Sequence, residues 1–198
     1  MLSILVRPAF AFRTLADVGD RGSLWRGPIS FLFVFGCVIS LLASGRLTIR
    51  LVADGMVSFA FIPVFEVIAL AVVVRRTTGA DRGRAAVPFA RAVDLFFAGE
   101  LPWVLWVIAV GTVCAVVPPR ELGPWIQPAM ASSFVPLIWS IWIDFHFFRE
   151  AARLPPTSAY RRLIAHRLMT WTAIVAYFLG IAIWHEVLPE LLAWLGLG

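Results

Sequence analysis

The chain has 198 residues, of which 61% are hydrophobic and only 15% charged, and its mean hydropathy is +0.87. A soluble domain of this size carries about 25% charge, so a purely soluble fold is excluded and an all-α polytopic membrane protein is expected. The net charge of +5 comes from arginines that form no block with interleaved aromatics, which excludes a nucleic-acid-binding surface.

In chain order, the N-terminal "MLSILVRPAFAFRTLA" has too short an apolar stretch before Arg7 for a signal peptide, so the first apolar run is expected to be an uncleaved anchor. A bilayer core about 30 Å thick needs roughly 17–25 apolar residues in a helix. Cutting the chain at its charged residues leaves five such runs: 27–45, 55–74, 101–119, 122–143 and 168–184. They occupy about half the chain and leave no room for a second domain, so residues 1–198 are expected to form one integral membrane domain. Pro63 and Pro136 fall inside the second and fourth runs, where each removes a backbone donor and bends its helix. Ser132 and Ser140, four residues either side of Pro136, are placed to satisfy the carbonyl freed there.

The arginines set an orientation. Successive segments outside the runs hold 4, 2, 5, 1, 5 and 0 of them, the alternation that the positive-inside rule produces for five crossings. The N-terminus is expected in the cytoplasm and the C-terminus outside it, in a cell inner membrane. The use of Arg with no Lys reads as the codon usage of a GC-rich, bacterial genome. Trp25, Trp103, Trp106, Trp139, Trp142 and Trp171 are expected toward the inner interface, and Trp125, Trp184 and Trp194 toward the outer one, as aromatic belts or as core residues. Three stretches on the cytoplasmic side resemble one another: "PAFAFRTLA" (8–16), "PTSAYRRLIA" (156–165) and, more loosely, "PFARAVDLFF" (88–97). They predict short amphipathic interfacial helices whose Arg13, Arg91 and Arg161 reach anionic lipid headgroups; ordinary amphipathic connectors would show the same pattern.

Small residues four apart mark close helix contacts: Gly36, Ser40 and Ser44; Gly111 and Ala115; Ala176 and Gly180. Cys37 and Cys114 lie inside apolar runs and read as small buried hydrophobes rather than a disulfide or metal framework.

Two polar features carry chemistry. Glu66 stands alone in "GMVSFAFIPVFEVIALAVVV" (55–74). A carboxylate at mid-membrane costs about 2.5–3.5 kcal/mol, so Glu66 is either a neutral acid bonded to the carbonyl freed by Pro63 or a proton or cation site. Near the cytoplasmic end of the fourth run, "DFHFFRE" brings Asp144, His146 and Glu150 together, with His166 on the same side of the membrane. These four suit polar capping at an interface, or a metal or general-base site if they converge. No H-E-x-x-H, G-x-S-x-G or nucleotide-binding glycine pattern accompanies them.

Five helices, the opening "RPAFAFRTL", short connections and an outward tail resemble the Yip1 family of small integral membrane proteins, and Pro-x-x-Ala-Phe-Arg before the first helix resembles the start of bacterial members. The resemblance implies a non-enzymatic scaffold or accessory protein without a cofactor, associating with lipid or with another membrane protein or a second copy. It assigns no functional residue. Two alternatives come from the residues: a small transporter or channel subunit using Glu66, and a membrane-embedded metal-dependent enzyme around His146 and Glu150.

Overall fold

Apolar runs broken by proline and punctuated by small residues fold here into helices packed on helices. In the computed structural model, which describes residues 2–17, 22–75, 87–117 and 119–195, the regular secondary structure of the described residues is helical throughout. Two short helices, α1 (Leu2–Val6) and α2 (Pro8–Asp17), precede the apolar ones. Then come α3 (Arg26–Ser44), α4 (Ile49–Phe59), α5 (Phe61–Arg75), α6 (Phe89–Gly99) and α7 (Leu101–Val116). A 3-10 turn (Pro119–Glu121) leads to α8 (Gly123–Ser132) and α9 (Phe134–His146), a π turn (Phe147–Ala151), and α10 (Pro156–Trp194).

Four helical stretches are long and apolar enough to cross a membrane: Arg26–Ser44, Ile49–Val74, Gly123–Ala151 and Pro156–Trp194. A fifth arises if α6 and α7, bent by 40° at their junction, form one span. The described residues therefore hold four or five candidate spans. Arg21, Arg76, Arg82 and Arg84, which carry part of the charge asymmetry, and residue 118 of the third run lie outside the described residues.

The long spans break where prolines demand it. Pro63 cannot donate to the carbonyl of Phe59, and α4 ends at that residue before α5 resumes. Pro136 does the same to Ser132, the last residue of α8. At both breaks a tighter bond closes the last turn, from Ala60 N–H to Val57 O at 3.2 Å and from Ser133 N–H to Met130 O at 3.1 Å. Pro102 acts likewise at the α6–α7 junction, where Glu100 N–H reaches Phe97 O at 3.2 Å.

Ser132 and Ser140 do not serve the carbonyl freed by Pro136. Ser132 Oγ donates to Ala129 O at 2.7 Å and Ser140 Oγ to Leu137 O at 3.0 Å, because each hydroxyl reaches back along its own turn. Their lone pairs serve another helix instead: Trp106 Nε1 donates to Ser132 Oγ at 2.9 Å and Trp103 Nε1 to Ser140 Oγ at 3.2 Å. These two tryptophans thus bond into the protein.

Helix α3 stops at Gly45, whose left-handed φ of 66° lets its N–H close on Leu41 O at 2.8 Å. Ser40 then locks the reversal into α4, donating to Arg46 O and accepting from Thr48 N–H, both at 2.9 Å. The two helices approach through glycine: a Cβ on Gly36 would stand 2.4 Å from Val52 O, and one on Gly55 2.9 Å from the Gly36 Cα. Gly111 of α7 meets Val38 in the same way, at 2.6 Å. Ala176 and Gly180 of α10 behave differently. A Cβ on Gly180 would meet nothing within 4 Å, so that part of α10 carries no intramolecular helix contact of this kind.

The core gathers at one end of the bundle, where Phe12, Phe96, Phe147 and Phe148 are fully buried together with Ile4, Leu70 and Ile143. Helix α6 lies at its centre, with seven consecutive buried residues from Arg91 to Phe97. The segment 88–97 is thus an interior element, not a surface helix. "PTSAYRRLIA" runs straight into the long helix α10. Only 8–16 forms a separate short helix, and that helix buries Phe12 against the Phe147 ring at a centroid distance of 5.8 Å.

Candidate functional site

The break between α6 and α7 turns Glu100 inward, to 2% exposure. Facing it from α10, Arg167 places Nη2 3.6 Å from Glu100 Oε1 and in hydrogen-bonding contact with Asp144 Oδ2 of α9. The same nitrogen donates to Ser140 Oγ at 3.1 Å. Glu66 of α5, 5% exposed, is buried within electrostatic reach of these groups, although the described ion pairs of Arg167 go to Glu100 and Asp144. Elements of different sequence position thus bring two carboxyls to one guanidinium and bury a third acid nearby.

Beside Arg167, the His166 ring is fully buried against Phe96, at a centroid distance of 4.7 Å. Its Nε2 lies 3.3 Å from the main-chain oxygen of Glu66. A carbonyl only accepts, so Nε2 donates in this contact and Nδ1 is the ring nitrogen left over. That Nδ1 is buried without a hydrogen-bond partner, as are Glu66 Oε2 and Asp144 Oδ1. Native interiors leave few polar atoms in this state, and each calls for a reason, whether strain, chemistry or a bound water or ion. The cluster is polar, buried and under-satisfied.

The helix packing answers how Glu66 is accommodated. Read along the sequence it has no second acid at its depth, because Glu100 and Arg167 stand just before runs 101–119 and 168–184 and so look like their hydrated ends. In the structure α6 continues into α7, and α10 begins eleven residues before Arg167. Arg167 therefore lies well inside a helix, and Glu100 at the bend between two. The signal available in the sequence was the apolar "AVDLFFAGELPWVLWVI" (92–108), which continues through Glu100.

The other expected ligands disperse. Asp144 is committed to Arg167, and Glu150 Oε2 accepts from Arg13 Nε and Nη2 at 3.1 and 2.9 Å. His146 packs edge-on against Trp142 and Phe145, and His166 faces Glu66. Among the described residues, no group of three or more His, Cys, Asp or Glu is gathered closely enough to hold a metal ion. The convergence of Asp144, His146, Glu150 and His166 that a metal or general-base site would need does not occur, because each is engaged by a different neighbour.

The arginines expected at headgroups also divide. Arg91 is buried in α6 and donates to Leu15 O at 2.9 Å, tying α6 to α2 instead of reaching lipid. Arg13 is exposed but paired with Glu150, and Arg161 is exposed on α10. Comparison with protein-family models, with curated proteins and with solved structures found no match. The likeness to the Yip1 family therefore rests on the sequence features alone.

Proposed function

We propose that this chain is a five-span membrane protein that takes up and releases protons at the Glu66–Glu100–Asp144–Arg167 cluster, as a small transporter or channel subunit. The observation that carries the reading is charge imbalance. Two carboxyls meet one guanidinium in the interior and a third, Glu66, is buried nearby, and burying unpaired charge is strongly unfavourable. The cluster reaches neutrality by taking up two positive charges. Protons fit better than a metal ion, given the dispersed ligands. Intramembrane acids paired with a basic residue are a recurrent basis of proton relays.

In this reading α6 and α7 form the third span, the N-terminus lies in the cytoplasm, and α1 and α2 lie at the cytoplasmic interface. The test is proton flux into liposomes holding a pH-sensitive dye, driven by a potassium diffusion potential. Wild-type protein should dissipate the imposed gradient and Glu66→Gln should not, with unchanged folding. Equal flux from wild type, Glu66→Gln and empty liposomes would overturn the proposal.

A second reading, the Yip1-like accessory protein, is favoured by one observation. Thr172, Ala176 and Gly180 lie four apart on α10, and the Gly180 position is open where a helix could dock. Native mass spectrometry from nanodiscs tests it: a discrete bound protein or second copy supports the reading, and a lone chain removes it.

A further inference from the structure

The charged cluster is closed at one end by aromatic rings, and part of that closure comes from outside the bundle. Phe12 of α2 is fully buried, and the point where a Cβ on Gly99 would stand lies 3.8 Å from both the Phe12 ring tip and Asp144 Oδ1. Behind it, Phe147 contacts both Phe12 and Phe96, and Phe96 covers His166. Removing α2 would open one wall of this aromatic stack close to Asp144.

Beyond its buried Phe12 and the Arg91 bond to Leu15 O, helix α2 is held by two ion pairs to a single segment. Arg13 pairs with Glu150 inside the π turn, and Arg153 Nη2 lies 2.7 Å from Asp17 Oδ1. That segment is itself unusual. Ala152 N–H reaches Phe147 O across five residues, at 3.1 Å, and Arg153 adopts a left-handed φ of 53° that costs a non-glycine residue conformational energy. Strain of this kind collects at switch regions and persists where the surroundings hold it. Here the holding contact of Arg153 is the ion pair to α2. The clamps are weak individually, since three of the four side chains are substantially exposed.

We infer that residues 2–17 form a detachable strap: the Arg13–Glu150 and Arg153–Asp17 pairs fasten it over the π turn and thereby control water access to the cluster at Asp144. This rests on the proposed proton site for its purpose, though not for its test. When the pairs open, the strain at Arg153 is free to relax, and α2 is left with Phe12 burial and the Arg91 bond to Leu15 O as its remaining hold.

Hydrogen exchange read by mass spectrometry, on the full chain in nanodiscs, tests the device without reference to transport. Arg13→Glu should raise exchange of peptides covering both 2–17 and 144–151, by about three- to tenfold, in line with losing an exposed pair and gaining a like-charge contact. The swap Arg13→Glu with Glu150→Arg should return both segments toward wild type, which a merely misfolded variant would not do. Faster exchange of 2–17 with 144–151 unchanged would overturn the proposal, as would no change in either. Proton flux measured in parallel judges only the transport reading: absence of flux in every variant ends that reading and leaves the exchange result to decide on the strap.

Discussion

At Glu66 the interior must hold a carboxyl whose Oε2 has no hydrogen-bond partner, a few ångströms of side chain away from a main-chain oxygen already bonded to His166. If the acid serves only shape, Glu66→Gln and wild type should melt together in detergent while Glu66→Ala falls by the cost of the space it empties, about 1–3 kcal/mol. If it serves proton exchange, Glu66→Gln should keep its melting temperature and lose flux. Equal melting of all three would remove the structural role. Arg167 is the opposite case, because it is the cluster's basic partner for two acids. Arg167→Gln leaves them uncompensated and should cost about 3–5 kcal/mol, measured by thermal unfolding. Among the arginines expected to touch lipid, Arg161→Gln should weaken binding to anionic vesicles by about 1 kcal/mol in a salt-sensitive way. Arg91→Gln should instead lower the melting temperature, since its bond goes to Leu15 O inside the protein. Equal effects of the two on vesicle binding would contradict this division.

Between helices, backbone proximity decides which small residues matter. Gly36 and Gly55 bring α3 and α4 together so closely that a methyl group at Gly36 collides with main chain, which has little room to yield. Gly36→Ala should destabilise by about 1–3 kcal/mol, as overpacking does. Gly180→Ala should be silent on stability in the isolated chain. Reduced self-association of Gly180→Ala in nanodiscs would show that the open face of α10 docks a second copy. The pattern in the sequence is the same at both sites, and only the presence of a facing helix separates them.

For the molecule as a whole, the decisive element is the bend between Gly99 and Leu101. If α6 and α7 cross together, the chain has five spans and its termini lie on opposite sides. If they enter and return, it has four and the termini share a side. Reporter fusions after Val117 and at the C-terminus should read extracytoplasmic, and fusions near Arg82 and Pro156 cytoplasmic. A cytoplasmic C-terminus would make the α6–α7 pair re-entrant. It would also put Glu100, at the bend, at the turning point of the loop.

Helical class, apolar runs and the breaks at Pro63 and Pro136 were legible in the residues themselves, whereas the bend between α6 and α7 was not. Hydropathy over a window is a local sum, and proline removes its own N–H whatever surrounds it. Glu66 was legible as an anomaly for the same reason. Its partners were not. Glu100, Asp144 and Arg167 come from three other elements, and each stands beside an apolar run where a hydrated charge would look the same. Whether such a residue meets water or a facing carboxylate depends on which helices pack together. That packing is fixed by contacts between distant segments: Gly36 on Gly55, Gly111 on Val38, Phe12 on Phe147. Arg91 makes the point most plainly, since its surroundings in sequence suggest a surface helix and the fold wraps α6 on every side. Local chemistry therefore dictated which segments are helical and apolar, whereas the gathering of four charges into one buried site arose only when those segments packed.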